Sequence, residues 1–487
     1  MAASHVLVFP WPLQGHINCM LHFATGLAAA GVHVTFLHTD HNLRRLARAS
    51  AAGSPRLRFL SIPDGLPDDH PRSVGDVMEL AKSLLAAGPV AYRALLSALL
   101  SAVGSPSRAN NAGVDPGGGG CFPSVTCVVA DGLMPWAINI AEDLSIPAFV
   151  FRTASACSFL AYLSVPKLFE LGELPFPEGG DLDEPVRGVP EMERFLRRRD
   201  LPSLCRRRSE TNDVDPMLQL LAEFTVYSGK ARALILNTAA SLERSALQHI
   251  TPHMRDVFAI GPLHAMSPAP AAASSLWRED EGCMSWLDGQ ADRSVVYVSL
   301  GSLAVISHEQ FTEFLSGLVA TGYPFLWVLR PDMVGASQDS VLQETVRAAG
   351  DSKVRVVAWA LQRDVLRHRA VGCFLTHSGC NSTLEGIVEG VPMICWPFFA
   401  DQQINSRFVG AVWRTGLDMK DVCDRAVVER MVREAMESAG IRGSARALAQ
   451  QVRRDIADGG SSAMEFERLV KLIRELGMSD AEPDLQA

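Results

Sequence analysis

Two kinds of apolar pattern alternate along this chain. Short continuous runs rich in valine and isoleucine recur, and between them apolar residues return at helical spacing. HVLVFP (His5 to Pro10) reads as a strand. Ile17, Met20, Leu21, Ala24, Leu27 and Ala28 then mark one face of a helix, stopped by Gly31 at a C-cap position. VHVTFLHT (Val32 to Thr39) is the next strand, and VTCVVAD ending at Asp131, PAFVFRT ending at Thr153, ARALILNT (Ala231 to Thr238) and VFAIGP (Val257 to Pro262) continue the series. Strands apolar on both faces belong to parallel sheets covered by helices. The β-loop-α-β order therefore predicts a doubly wound α/β domain.

Two stretches interrupt the rhythm. Residues 104–123 contain GVDPGGGGC and read as a surface loop, and HAMSPAPAAASS (His264 to Ser275) has the composition of an interdomain linker. Strand candidates then restart with SVVYVSLGS (Ser294 to Ser302), PFLWVLRP, VRVVAW, VGCFLTHS and PMICWP. From Asp424 to about Gly477 the chain reads as charged helix. A chain of 487 residues exceeds one ordinary core. The division expected is a Rossmann-like domain over 1–262, a linker over 263–280, a second Rossmann-like domain over 281–465, and a helix and tail over 466–487 that fold back on the first domain.

Composition narrows the partners. The chain is 48% hydrophobic and 20% charged, as soluble globular proteins are, and its formal net charge of -9 supplies no basic footprint for nucleic acid. The richest apolar region, Val125 to Phe151, is broken by Asp131, Pro135, Glu142, Asp143 and Pro147, so no membrane span is expected. HVLVFP is too short for a signal-peptide core and has no basic region ahead of it. Ten scattered cysteines without paired spacing point to buried, reduced thiols and a cytoplasmic chain rather than a disulfide framework or zinc site. A monomer is expected.

In open parallel sheets ligands bind beyond the C-terminal strand ends. The polar residues there are Gln14, Gly15, His16, Asp131 and Thr153 in the first half. In the second they are Gly301, Ser302, His377 to Gly379, Asn381, Ser382, Glu385, Asp401 and Gln402. Neither half has a GxGxxG turn after its strand or a Walker P-loop, which argues against a nicotinamide enzyme. The strand–HSGCNST–helix junction can still hold an anion, through Gly379, the donors of Asn381, Ser382 and Thr383, and the helix N-terminus. His16 is a residue type suited to act as a general base near neutrality, and Asp131 ends a neighbouring strand where it can accept from the ring. The plainer reading of both is helix capping. The basic runs RFLRRR and CRRR, from Arg194 to Arg208, read as a solvated face.

The stretch WALQRDVLRHRAVGCFLTHSGCNSTLEGIVEGVPMICWPFFADQ (Trp359 to Gln402) resembles the signature box of plant secondary-product glycosyltransferases, the family 1 enzymes that use UDP-sugars. PLQGHIN, VVADGLMPWA, CMSWLDGQADRSVVYVSLGS and NSRFVGAVW extend the resemblance over nearly the whole chain. It implies the GT-B fold, two Rossmann-like domains facing across a cleft. It also implies that Trp359 stacks on uracil, with Ala360 and Gln362 near the base and ribose, and that Glu385 takes the ribose hydroxyls. Ser302, His377, Gly379, Asn381 and Ser382 would hold the diphosphate. Asp401 and Gln402 would hold the sugar, with Thr153 reaching it from the other domain. The resemblance makes His16 the base and Asp131 its orienter, and a terminal Gln402 is the residue glucose users carry.

Cys380 stands where most of the family has Trp; a contact to the sugar through its backbone N–H would survive that change. Direct displacement inverts the anomeric centre, and no metal or other cofactor is implied. The metal-dependent alternative would need an Asp-x-Asp pair, for which only Asp181/Asp183 and Asp213/Asp215 have the spacing; both read as loop charge. Trp11, Trp136, Phe195, Phe398 and Phe399 are the candidates for an acceptor pocket for a terpenoid, flavonoid or other phenolic. The alternative function is a nucleotide-sugar binder of the same fold without turnover.

Overall fold

A computed structural model describes residues 4–46, 54–101, 122–177, 179–206, 215–267, 276–330, 333, 336–350 and 352–479. Most of the glycine-rich stretch, residues 268–275 of the linker, Asp213 and the tail from 480 lie outside the described residues. Where the linker is described it opens as a short helix, Leu263–Met266, with Leu263 buried in the core of the first sheet.

The chain builds two parallel sheets. The first holds β1 (His5–Phe9), β2 (His33–Thr39), β3 (Leu57–Ile62), β4 (Cys127–Asp131), β5 (Ala148–Arg152), β6 (Ala233–Leu236) and β7 (Val257–Ala259), in the order β3-β2-β1-β4-β5-β6-β7. The second holds β8 (Val295–Ser299), β9 (Phe325–Val328), β10 (Val354–Val357), β11 (Val371–Thr376), β12 (Met393–Cys395) and β13 (Gly416–Asp418), in the order β10-β9-β8-β11-β12-β13. This is the two-domain Rossmann-like architecture the patterning predicts. The two strands that the patterning misses, β3 and β13, are both edge strands. Each is only partly covered, so neither carries the continuous apolar run of a strand buried on both faces.

By packing, the chain divides into two compact units. One comprises Met1–Thr153, Glu223–Leu276 and Asp455–Ala487, the other Ala154–Ala222 and Trp277–Arg454. The first core joins β1, β2, β4 and β5 side chains to Met20, Phe23 and Leu27 of the helix Gln14–Ala29. Leu469, Val470 and Ile473 of the last helix, Ser461–Ser479, complete it, each contributing about 1.5–3 kcal/mol of burial. In the second unit Val296, Val298, Trp327, Leu375 and Ile394 form the centre of the core.

Among the described residues the helix Val77–Ser101 is long and apolar enough, by length and composition, to cross a membrane. Its buried positions, Leu80, Leu84, Gly88, Tyr92 and Leu96, follow an i, i+4 stripe, and Tyr92 stacks on Phe9 of β1. That is how a helix packs on a sheet. Nine cysteines are described; all are free thiols and eight are buried.

Candidate active site

In each sheet the strand order reverses between two central neighbours, β1 and β4 in the first, β8 and β11 in the second. Connections leave such a pair in opposite directions, which opens a crevice beyond the strand ends. His16 and Asp131 follow or end the first pair, and Ser302 and His377 to Ser382 follow the second.

In the first unit His16 lies in the opening turn of the helix that follows β1, and Asp131 is the last residue of β4. His16 Nδ1 is 2.6 Å from Asp131 Oδ2. Asp131 is fully buried, whereas the His16 side chain keeps 21% exposure, enough for a ligand to reach it. The other carboxylate oxygen, Oδ1, accepts the backbone N–H of Leu133 at 3.0 Å, so the carboxylate cannot rotate freely. An ionised carboxylate only accepts hydrogen bonds. Nδ1 therefore carries the proton, and Nε2 keeps the lone pair that a base needs. Thr153, just past β5, places its hydroxyl oxygen 2.7 Å from the same Nδ1 and 3.5 Å from Nε2. Sequence reasoning did not pair Thr153 with the histidine.

In the second unit the loops after β8 and β11 meet around His377. A Cβ at Gly301 would lie 2.5 Å from His377 Nε2, and so would one at Gly379. The imidazole occupies the space a side chain would need at both positions, and Gly301 also has a left-handed φ of +76°. Burial, then the nearby Arg330 guanidinium, pull His377 down to about 4. At neutral pH the ring is an uncharged donor. Positive charge comes from Arg330, a residue the sequence reading passed over. Arg330 is fully buried and donates to the carbonyls of Gly301 and of Ala304 (3.1 Å), holding the loop that carries Ser302.

The helix Cys380–Glu389 starts beside this loop, with Gly379 as N-cap and no side-chain cap. Its first N–H groups lack intrahelical partners and suit an anion. One is already used, since the Cys380 N–H donates to Asp401 Oδ2 at 3.1 Å. The contact proposed from sequence between that N–H and a ligand is thus made within the protein. Asn405 Nδ2 also donates to Asp401 Oδ2 (2.7 Å) and to the Ser378 carbonyl (2.9 Å). Ser378 is buried with φ +63°, a conformation that costs a non-glycine residue about 1–3 kcal/mol and persists when its surroundings hold it. Asn405, one turn after Asp401, is a second residue that sequence reasoning missed.

Gln402 is turned the same way. Its carboxamide oxygen accepts the backbone N–H groups of Phe398 (2.8 Å) and Phe399 (3.1 Å). Its amide NH₂ is the part left to meet a ligand. Gln362 is fully committed as well, with Nε2 donating to Glu385 Oε2 (2.6 Å) and Ser382 Oγ (2.9 Å) and Oε1 accepting from the Tyr297 hydroxyl (3.3 Å). Burial pushes the Glu385 carboxyl up to about 7 against the opposing pull of Gln362 and Arg363. Trp359 stacks on Trp277 at 5.8 Å and 22°, and its carbonyl accepts the Asp280 N–H, which leaves its other face for a flat ring. Ala360 is buried beside it.

The aromatic candidates divide between the units. Trp11 is buried near the His16 turn, and Trp136 packs edge-on against Phe9 and Tyr92. Phe195 packs edge-on against Phe408, and Phe398 packs on Trp396 in the other unit. Phe399 is half-buried there. Arg207 and Arg208 lie outside the described residues, and four arginines of the run that are described are paired rather than solvated. Arg197 and Arg199 both pair with Asp183, Arg198 with Glu184, and Arg206 with Asp421. Asp183 therefore has its carboxylate occupied by two guanidinium groups.

Comparison with known proteins finds relatives over nearly the whole chain. The family model described as "UDP-glucoronosyl and UDP-glucosyl transferase" matches residues 216–438. The chain is 43% identical to a myricetin 3-O-rhamnoside 1,2-glucosyltransferase of Crocosmia x crocosmiiflora, over 98% of this chain and 97% of that relative. It is 42% identical to a 7-deoxyloganetic acid glucosyltransferase of Catharanthus roseus, over 97% and 98%. Among solved structures, a UDP-glucose:anthocyanidin 3-O-glucosyltransferase in complex with UDP superposes with TM-score 0.81 at 24% identity, covering 97% of this chain and 99% of that one. An O. sativa protein in complex with UDP does so with TM-score 0.76 at 26% identity, covering 96% and 100%.

Proposed function

The chain belongs to the plant family of UDP-glucuronosyl and UDP-glucosyl transferases, and from that premise we propose that it transfers glucose from UDP-glucose, with inversion, to a small lipophilic metabolite. The observation that carries the mechanism is the His16–Asp131 contact at the β1/β4 switch point, with Nε2 left as the base. The acceptor O–H gives its proton to Nε2 as its oxygen forms a bond to the anomeric carbon. The bond from that carbon to the diphosphate oxygen breaks, and UDP leaves with the electron pair. Asp131 stabilises the imidazolium that results. Attack opposite the leaving group converts an α-linked donor into a β-glycoside.

The second unit holds the donor in this reading. Trp359 takes uracil on its open face, and Glu385, held by Gln362, accepts from the ribose hydroxyls. The loop of Ser302 with His377, Gly379, Asn381 and Ser382 receives the diphosphate, whose charge Arg330 and the helix N-terminus favour. Asp401 and the Gln402 amide address the sugar hydroxyls. No metal is needed for leaving-group departure in this scheme, and the Asp183 carboxylate is neutralised by Arg197 and Arg199 rather than poised to chelate one. Acceptors with a hydroxyl or carboxyl, such as terpenoids, flavonoids and other phenolics, are favoured by the acids and phenols for which the relatives are named.

A mass-spectrometric screen of UDP-glucose, UDP-galactose and UDP-xylose against a mixed aglycone library, in excess EDTA, tests the reading. Hexose transfer from UDP-glucose at full rate is expected. A strict requirement for added Mn²⁺, or transfer only from one of the other donors, counts against it. UDP binding without turnover would favour the non-catalytic alternative.

Glu385 gives a prediction with opposed signs. Its carboxyl is raised from the ordinary 4.5 to about 7, so the folded state binds a proton that the unfolded chain has lost. The stabilisation from that proton is complete below pH 4.5 and is lost as pH rises through 7. Glu385→Gln removes the buried charge. Its Tm should exceed that of the wild type at pH 8, and the gap should shrink toward pH 5. UDP affinity at pH 8 should fall roughly tenfold or more, since a charge-assisted hydrogen bond contributes about 1.5–3 kcal/mol. Differential scanning fluorimetry with UDP titration reads both; a Tm below wild type at pH 8, or unchanged affinity, is the contrary result.

A further inference from the structure

Part of the arginine run is half-buried around the buried Asp200, and the transfer scheme gives it no task. Asp200, fully buried, accepts from Arg197 Nε (3.0 Å) and NH2 (3.1 Å), and lies 2.8 Å from Lys420 Nζ and 3.4 Å from Arg407 Nε. The two last cations also hold backbone. Lys420 Nζ donates to the Gln403 carbonyl at 2.6 Å, and Arg407 Nε donates to the Phe195 carbonyl at 2.8 Å. Gln403 and Arg407 lie near the start and at the end of the helix Gln402–Arg407. One carboxylate is thereby tied to both ends of the short helix that begins with Gln402. Asp418 adds a second tie, accepting from Ser406 of that helix while lying 3.4 Å from Lys420. Burial alone would raise Asp200, but Lys420 and Arg197 hold it below its ordinary value, so it is ionised.

We infer that Asp200 is a positioning residue for the sugar end of the donor site, fixing the placement of the Gln402 helix and with it the Gln402 amide and the Asp401 carboxylate. The inference rests on the proposed contact of Gln402 with the sugar. Buried ion clusters contribute little net stability over apolar packing, and what they can supply is a fixed geometry. Hexoses differ in where single hydroxyls point, so a helix that shifts by a fraction of an ångström loses discrimination among them. The uracil, ribose and diphosphate contacts come from other elements, Trp359 to Gln362 and His377 to Glu385, and stay in place.

Asp200→Asn and Arg407→Gln, compared with Gln402→Ala, test this by KM and kcat for UDP-glucose and UDP-galactose, the inhibition constant of UDP, and Tm. In both variants KM for UDP-glucose should rise roughly tenfold while UDP inhibition stays within about twofold. The preference for glucose over galactose should fall at least about threefold. Folded variants with wild-type KM and preference overturn the inference, as does UDP inhibition weakening in step with KM. If Asp200→Asn does not fold, Arg407→Gln decides alone. If Gln402→Ala leaves KM and preference unchanged, the sugar assignment of Gln402 falls and the positioning role with it. If Gln402→Ala alters both and the other two variants alter neither, only the positioning role falls.

Discussion

Replacing His16 with alanine is expected to lower kcat roughly 10²–10⁴-fold, with KM for UDP-glucose nearly unchanged. The split follows from where His16 sits. It belongs to the first unit, just past β1, whereas the residues proposed to hold the donor belong to the second, in the segments after β8, β10, β11 and β12. Its loss removes the proton acceptor and leaves donor binding intact, so the deficit falls on the chemical step. Steady-state kinetics of wild type and His16→Ala measure both constants. A loss of less than about tenfold, or a rise in KM that accounts for it, removes His16 from the base role.

Asp131→Asn should cost nearly as much, roughly 10²–10⁴-fold in kcat, although it is almost isosteric. The reason lies in the hydrogen bond from the Leu133 N–H to Oδ1, which fixes one end of the side chain as an acceptor. Asparagine has a single acceptor oxygen, and that N–H claims it. The NH₂ group then faces His16 Nδ1, where a donor requires an unprotonated nitrogen. The proton moves to Nε2, and the ring can no longer accept one from substrate. Imidazolium stabilisation is lost as well. Kinetics together with the ring ¹⁵N shifts of His16 check the argument. Wild type should carry its neutral-form proton on Nδ1 and Asp131→Asn on Nε2; an unchanged tautomer with a large rate loss would contradict it.

The parts of the molecule legible in the sequence are those set by local pattern. Val128, Val129 and Val298 sit in buried strands, and the Val- and Ile-rich runs mark them because both faces are covered. His16, Asp131, His377 and Asp401 stand out because they are polar residues at strand ends or the turns just beyond them. What the pattern does not encode is direction and partnership. Nothing local says that the Gln402 oxygen turns back to the Phe398 and Phe399 N–H groups, or that Asp401 takes the Cys380 N–H. Arg197 and Arg199 look like solvated charge because two of their acidic partners, Asp418 and Asp421, are more than two hundred residues away. Arg330 ends an ordinary strand run, and its contacts with Gly301 and Ala304 require the sheet to be assembled first. Edge strands β3 and β13 escape for the converse reason, since partial exposure erases the signal that marks the others.

The anomeric configuration of the product is the most direct measurement of the central claim, that His16 drives a single inverting displacement on UDP-glucose. Purified product from wild-type protein, UDP-glucose and a phenolic acceptor can be read by the proton coupling at the anomeric carbon. A β-glucoside formed in step with UDP release is expected, and with His16→Ala the same product formed roughly 10²–10⁴-fold more slowly. An α-glucoside, or a β-glucoside formed equally well without His16, would contradict the claim.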